Sequence, residues 1–136
     1  MTDKYNSRED YVSYEIGELL QISGFTGDWR KHYYGYNGRE RAFLTDGLYN
    51  DEYDVPAPTL QVAVKWVYET YKVHIQPEIY YDEKGMSWLV KIFKVGPQKI
   101  TLIQTILPNA TKQEAIEKAL NYVLVIGKRG KDYDAI

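Results

Sequence analysis

The stretch VHIQPEIYYDEKGMSWLVKIFKVGPQKITLIQTIL, residues 73–107, decides the fold. It contains three runs rich in β-branched and aromatic residues, which are VHIQPEIYY (73–81), WLVKIFKV (88–95) and ITLIQTIL (100–107). The turn-forming sequences DEKG and GPQK separate these runs. Because such short connections join antiparallel neighbours, the stretch predicts a three-stranded meander. Pro77 lacks an amide donor, so the first strand should lie at an edge or carry a bulge.

A helix is predicted immediately before the meander, in and after DVPAPTLQVAVKW (54–66). The two prolines favour extended backbone before them, and Thr59 then has the position of an N-cap. An apolar stripe predicts a helix over 59–72, and it consists of Leu60, Val64, Val67 and Tyr71. The alternative is a proline-rich docking motif, which would need exposed, extended backbone on both sides of the prolines. The immediate start of a core-facing helix favours the first interpretation.

A second helix is predicted immediately after the meander. Thr111 and Glu114 have the spacing of a capping box, in which each side chain satisfies a free backbone amide of the other residue. A broad apolar face follows, formed by Ala115, Ile116, Ala119, Leu120, Val123 and Leu124. We therefore expect a helix over 112–126 that ends at Gly127. The order αβββα predicts an α+β fold in which two helices pack on one face of a three-stranded antiparallel meander.

The residues before this unit predict an N-terminal helix and a β-hairpin. Ile16, Leu19 and Leu20 have helical spacing, which indicates a helix over 13–23. Asn37-Gly38 is typical of a type I′ turn and predicts paired strands over 32–36 and 39–44.

The whole chain, 1–136, is predicted to be a single domain. It would comprise the N-terminal helix, hairpin and acidic loop (13–54), the αβββα core (55–127) and a flexible tail (128–136).

Composition excludes several classes of function. The 136 residues carry a net charge of −2 and include no cysteine, which argues against an electrostatic nucleic-acid binder and excludes thiolate catalysis and cysteine-bound zinc. The sequence has no signal-peptide pattern and no apolar run long enough to span a membrane, so we expect a cytoplasmic protein.

The sequence contains no catalytic, cofactor-binding or metal-binding signature. His74 and Glu78 share a strand face, but at ~3.3 Å per residue they would lie roughly 13 Å apart, too far to share one ion. No nucleophile elbow, P-loop or dinucleotide fingerprint is present. We therefore expect no enzyme activity, no cofactor and no metal, and we infer no small-molecule ligand.

The αβββα order over 59–126 resembles the double-stranded RNA-binding domain. That resemblance implies RNA contacts from the loop between the first two strands and from lysines at the start of the last helix. Here the loop is DEKGM, which is acidic, and in TKQEAIEK the residues Lys112 and Lys118 are matched by Glu114 and Glu117. A nucleic-acid-binding module is therefore the alternative function.

A second resemblance covers nearly the whole chain. The patterns YVSYEIGELLQISGF, PAPTLQVAVKW, VHIQPEIYYD and EAIEKAL are similar to those of small uncharacterised proteins of bacteriophages and integrated elements of gut bacteria. This resemblance implies a small accessory protein of a mobile element and no mechanism.

Fourteen of the 20 aromatic residues are tyrosines, a residue type enriched at interfaces. A candidate interaction patch consists of Trp29, Tyr33, Tyr34, Tyr36, Arg39 and Arg41, since tyrosine, tryptophan and arginine dominate interface hot spots. The alternative is that these aromatic side chains only cover the sheet. The sequence thus favours a non-enzymatic protein that binds a protein partner or self-associates.

Overall fold

The computed structural model describes residues 11–27, 31–34, 43–46 and 54–128, with only the backbone described for 31–34, 43–46, 127 and 128. Its elements in chain order are α1 (Tyr14–Ile22), β1 (Lys31–Tyr34), β2 (Phe43–Asp46), β3 (Val55–Pro56), α2 (Leu60–Tyr71), β4 (Val73–Asp82), β5 (Gly85–Val95), β6 (Ile100–Asn109) and α3 (Lys112–Lys128).

The α+β fold with an antiparallel meander is confirmed. The three long strands form a sheet in the order β4-β5-β6, and α2 and α3 pack on the same face of it. Pro77 lies on β4, which is an edge strand, as its missing amide donor predicts.

The N-caps and the first turns of the helices follow the sequence closely. The Thr59 hydroxyl accepts a hydrogen bond from the Val62 amide at 3.2 Å, and the Thr111 hydroxyl accepts one from the Glu114 amide at 3.0 Å. The predicted capping box is therefore confirmed for Thr111 only. The Glu114 carboxylate accepts a hydrogen bond from the amide of Ala110 at 2.9 Å, one residue before the Thr111 amide that was predicted. Side-chain caps therefore satisfy amides that a helix cannot pair internally.

The predicted end of the last helix is wrong, because α3 includes Gly127 and continues to Lys128. A glycine inside a helix costs only about 1 kcal/mol relative to alanine. The buried face of α3, which includes Leu120, Val123 and Leu124, packs against the sheet and outweighs that cost.

The short strand β3 was not predicted from the sequence. Val55 pairs with Tyr33 and Pro56 pairs with His32, so this second sheet has the order β2-β1-β3. Pro56 and Pro58 are both buried. A docking motif needs exposed backbone around its prolines, so the helix-start interpretation of this segment is confirmed and the docking alternative is wrong.

The antiparallel pairing of β1 with β2 is confirmed, but its register is not the predicted one. A two-residue turn at Asn37-Gly38 places Tyr34 opposite Arg41, whereas the observed partner of Tyr34 is Phe43. The connection itself, 35–42, lies outside the described residues, as do most of the predicted acidic loop and the predicted tail. The register is therefore shifted by two residues from that of a two-residue turn.

Helix α1 is part of the main hydrophobic core and does not merely flank it. Ile16 and Leu20 are buried in the same cluster as residues of α2, α3 and the sheet. At its N-terminus, Ser13 caps α1 and also binds α3, because its amide donates to Glu117 Oε2 at 2.9 Å and its hydroxyl donates to Glu117 Oε1 at 2.6 Å.

Gly17 lies in the middle of α1, where the helix passes close to β3. A Cβ atom at this position would lie 2.5 Å from the carbonyl oxygen of Pro56 and closer still to Cγ1 of Val55. Helix propensity alone favours alanine over glycine by about 1 kcal/mol. The backbone oxygen cannot move aside as a side chain could, so the contact opposes this gain.

We expect Gly17→Ala to lower the free energy of unfolding by about 1–2 kcal/mol, since overpacking typically costs 1–3 kcal/mol and outweighs the propensity gain. Urea denaturation followed by circular dichroism measures this change. Ile22→Ala, at a helix residue that is 58% exposed, is the control and should have a much smaller effect. A more stable Gly17→Ala variant would show that α1 does not approach β3 this closely.

The carboxylates of Glu117 and Glu114 differ in their environments on α3. Burial raises the pKa of Glu117, and the hydrogen bonds from Ser13 only partly oppose this rise. The Ala110 amide, followed by Lys118, lowers the pKa of Glu114, which is exposed.

Because the pKa of Glu117 is raised in the folded protein, the folded protein binds more protons than the unfolded chain at pH values between the ordinary pKa of 4.5 and the raised one. The free energy of unfolding therefore falls as pH rises through this range. Glu117→Gln removes this dependence and keeps an acceptor for the Ser13 amide. We therefore expect the stability of the variant relative to wild type to increase between pH 4 and pH 7, measured by urea denaturation. Glu114→Gln should change in the opposite direction, because a lowered pKa stabilises the fold above the ordinary value. Parallel pH profiles for wild type and Glu117→Gln would contradict the assignment.

Candidate functional site

The structure does not test the interaction patch that the sequence predicts. Trp29, Tyr36, Arg39 and Arg41 lie outside the described residues. Tyr33 and Tyr34 belong to β1, opposite Leu44 and Phe43 of β2, and only their backbone is described. This patch therefore remains a prediction.

The described surface instead exposes apolar residues at one end of the meander. Along β4 the odd-numbered residues share the face that carries the helices. Their exposure increases steadily from Val73 at 0% and Ile75 at 3% to Ile79 at 52% and Tyr81 at 77%. The same face therefore changes from core to surface within one strand.

Strand β5 shows the same gradient on the same face. Val90 is fully buried, Trp88 is half-buried and Met86 is 54% exposed. Ile79 is directly opposite Trp88, and Tyr81 is directly opposite Met86. These four residues, Ile79, Tyr81, Met86 and Trp88, form two adjacent cross-strand pairs that we call the hairpin patch.

The hairpin patch exists because α2 is too short to cover β4. The 12 residues of α2 span about 18 Å, while the 10 residues of β4 span about 33 Å. A single residue, Lys72, joins the two elements, so α2 lies over β4 from the first residue of the strand onward. A helix of about 18 Å covers only five or six residues of such a strand, so the N-terminal end of α2 lies near Glu78. Exposure begins at Ile79, as this comparison requires.

Within the described residues, the edge of β4 that faces away from β5 has no partner strand, and this free edge lies beside the hairpin patch. A two-residue turn joins Asp82 to Gly85, so these two residues form the hydrogen-bonded pair next to the turn. Because hydrogen-bonded and non-hydrogen-bonded pairs alternate, the even-numbered residues of β4 form the backbone hydrogen bonds with β5. The N–H and C=O groups of Ile79 and Tyr81 therefore point away from β5, toward the free edge. Pro77 has the same orientation, which explains why its missing amide costs no bond with β5.

Charged groups near the hairpin patch lie on the other face or in the turn. Lys91 and Glu78, which are on the opposite face of the sheet, form an ion pair at 3.4 Å. In the turn, Asp82 Oδ1 accepts a hydrogen bond from the amide of Lys84 at 2.8 Å. The hairpin patch itself is uncharged.

A groove of about 400 Å³ lies between α2, the first half of β4 and the start of α3. We call it the α2–β4 groove, and its lining consists of Leu60, Gln61, Val64, Lys65, Tyr68, His74, Ile75, Pro77, Lys112 and Ile116. It adjoins the hairpin patch at Pro77. No sequence motif indicates this groove, because its residues come from three separate elements.

Comparisons with family models, with curated proteins and with solved structures find no match for this chain. The function must therefore be inferred from the chain itself.

Other residues that the sequence singled out have ordinary structural contacts. His74 stacks on Phe93 with ring centroids 6.4 Å apart, and Lys118 pairs with Glu114 at 3.1 Å. Within the described residues, no three histidine or carboxylate side chains are placed to hold a metal ion. Across the same part of the chain, no helix is both long and apolar enough to cross a bilayer.

The sequence alone does not predict that the hairpin patch is exposed. The alternation of β4 indicates only that Ile79 and Tyr81 share a face with Val73 and Ile75. The signal that would have distinguished them is length, because the predicted helix over 59–72 is shorter than the strand that follows it.

Proposed function

We propose that the protein is a non-enzymatic interaction protein that self-associates through the hairpin patch. The exposure of Ile79, Tyr81 and Met86, which lie together on one face and next to a free strand edge, carries this proposal. Contiguous exposed apolar residues on a soluble domain mark interaction surfaces. The resemblance to small phage-type proteins adds a context, an accessory protein of a mobile element, and no mechanism.

The geometry of the edge favours a second copy of the chain as the partner. When two β4 edges pair in antiparallel fashion, the outward-pointing groups of Ile79 and Tyr81 of one copy can meet those of the other. Paired residues on adjacent strands share a face, so the two hairpin patches would lie side by side and bury each other. The net charge of −2 opposes such an approach only weakly.

Nucleic-acid binding is the alternative, and the described charges give it little support. Of the two lysines at the start of α3, Lys118 is paired with Glu114, and only Lys112 has no ion pair within the described residues. The turn between β4 and β5 contains Asp82 and Glu83. RNA binding would appear as retention that weakens steeply as salt increases.

Light scattering over a range of protein concentrations tests self-association. We expect the mass of the wild type to rise from 15.9 kDa toward twice that value as concentration increases. The variant Tyr81→Ser/Met86→Ser should dissociate at least tenfold more readily, because it removes most of the exposed apolar surface of the patch.

A matched control is available on the opposite face of the same sheet. Ile100 and Leu102 are 66% and 51% exposed, and Leu102 is opposite Phe93, which faces away from the helices. Ile100→Ser/Leu102→Ser should leave self-association unchanged. A wild type that stays monomeric at all concentrations, or a control that dissociates as readily as the patch variant, would contradict the proposal. Circular dichroism verifies that both variants are folded.

A further inference from the structure

We infer that the α2–β4 groove binds a small amphipathic carboxylate, with the apolar chain on the floor of the groove and the carboxylate at two lysines. This inference is independent of self-association through the hairpin patch.

The floor of the groove is apolar and formed by three elements. Leu60 of α2 and Ile75 of β4 are buried, and the half-buried Val64, Pro77 and Ile116 extend the same surface. Its volume of about 400 Å³ is within the range in which proteins bury small ligands. An apolar chain placed on this floor would lose water on the side that faces Leu60 and Ile75, which is the main source of affinity for such a ligand.

The charge of the residues that line the groove indicates that the other end of the ligand is negatively charged. Lys65 and Lys112 line the groove and are exposed, whereas Leu60 and Ile75 of the floor are buried, so we place the carboxylate of the ligand on the exposed side of the groove, beside these two lysines. Among the described residues, the lining includes no carboxylate, although the chain has 19 acidic residues and a net charge of −2. The groove is therefore locally positive on a chain that is negative overall.

Lys65 and Lys112 form no ion pair within the described residues. Two lysines outside the groove do form ion pairs, since Lys91 pairs with Glu78 on the opposite face of the sheet and Lys118 pairs with Glu114 on α3. Two unpaired cations above an apolar floor match a molecule with one carboxylate and one apolar chain. A cationic amphiphile would meet like charge, and a simple anion would leave the floor unfilled.

Titration of the full-length chain with decanoate, below its micelle concentration, tests this inference by calorimetry and by NMR. We expect saturable binding, with amide shifts at Val64, Tyr68 and Ile116. Decyltrimethylammonium, which has the same chain and the opposite charge, should bind at least fivefold more weakly. Acetate, which has the carboxylate without the chain, should not bind measurably.

Two double variants separate the groove from general charge effects. Lys65→Ala/Lys112→Ala should weaken decanoate at least fivefold while leaving decanol binding unchanged. The control Lys91→Ala/Lys118→Ala removes the same total charge outside the groove and should leave decanoate binding as in the wild type.

Three results would overturn the inference. They are no decanoate binding at millimolar concentration, equal affinity for decanoate and decyltrimethylammonium, and decanoate binding that both double variants weaken equally. Shifts at Tyr81 and Met86 that disappear in Tyr81→Ser/Met86→Ser would assign the ligand to the hairpin patch instead. An acidic peptide that shifts the groove amides when decanoate does not would make the groove a protein-binding site.

Discussion

The reversal of the chain at Lys72 fixes which end of the sheet is core and which is surface. Lys72 caps α2 in the left-handed conformation, with φ at 58°, and is the only residue between α2 and β4. A side chain in this conformation costs roughly 1–2 kcal/mol, so the surrounding contacts must hold it. The Lys72 carbonyl accepts from the Val95 amide at 2.8 Å, and the Lys94 ammonium donates to the Tyr71 carbonyl at 3.2 Å. The C-terminus of α2 is therefore bound to β5.

Both candidate surfaces follow from that reversal. Because α2 must lie over the beginning of β4, its outer side and the strand together form the walls of the α2–β4 groove. Because α2 reaches over only the first half of β4, no helix of the described residues covers the apolar side chains of the far half. Pro77 marks the boundary, since it lines the groove and precedes the first residue of the hairpin patch. One strand thus contributes to a groove suited to a small molecule and to an edge suited to another strand.

Local signals in the sequence predicted most of the fold. The threonine caps, the helical stripes and the strand alternation each depend on neighbouring residues, and each is found at the expected place. The features that were missed depend on distant residues. Strand β3 has only two residues, too few for periodicity, and it forms because β1 pairs with it. The exposure of Ile79 and Tyr81 depends on where α2 ends in space, which strand alternation does not encode.

We propose that two copies of the chain meet at the end of the meander that α2 leaves uncovered. A dilution series followed by amide NMR shifts maps this contact residue by residue. We expect concentration-dependent shifts confined to residues 79–88, with those of Ile100 and Leu102 constant. Shifts that do not change with concentration, or changes centred on Ile100 and Leu102, would contradict it.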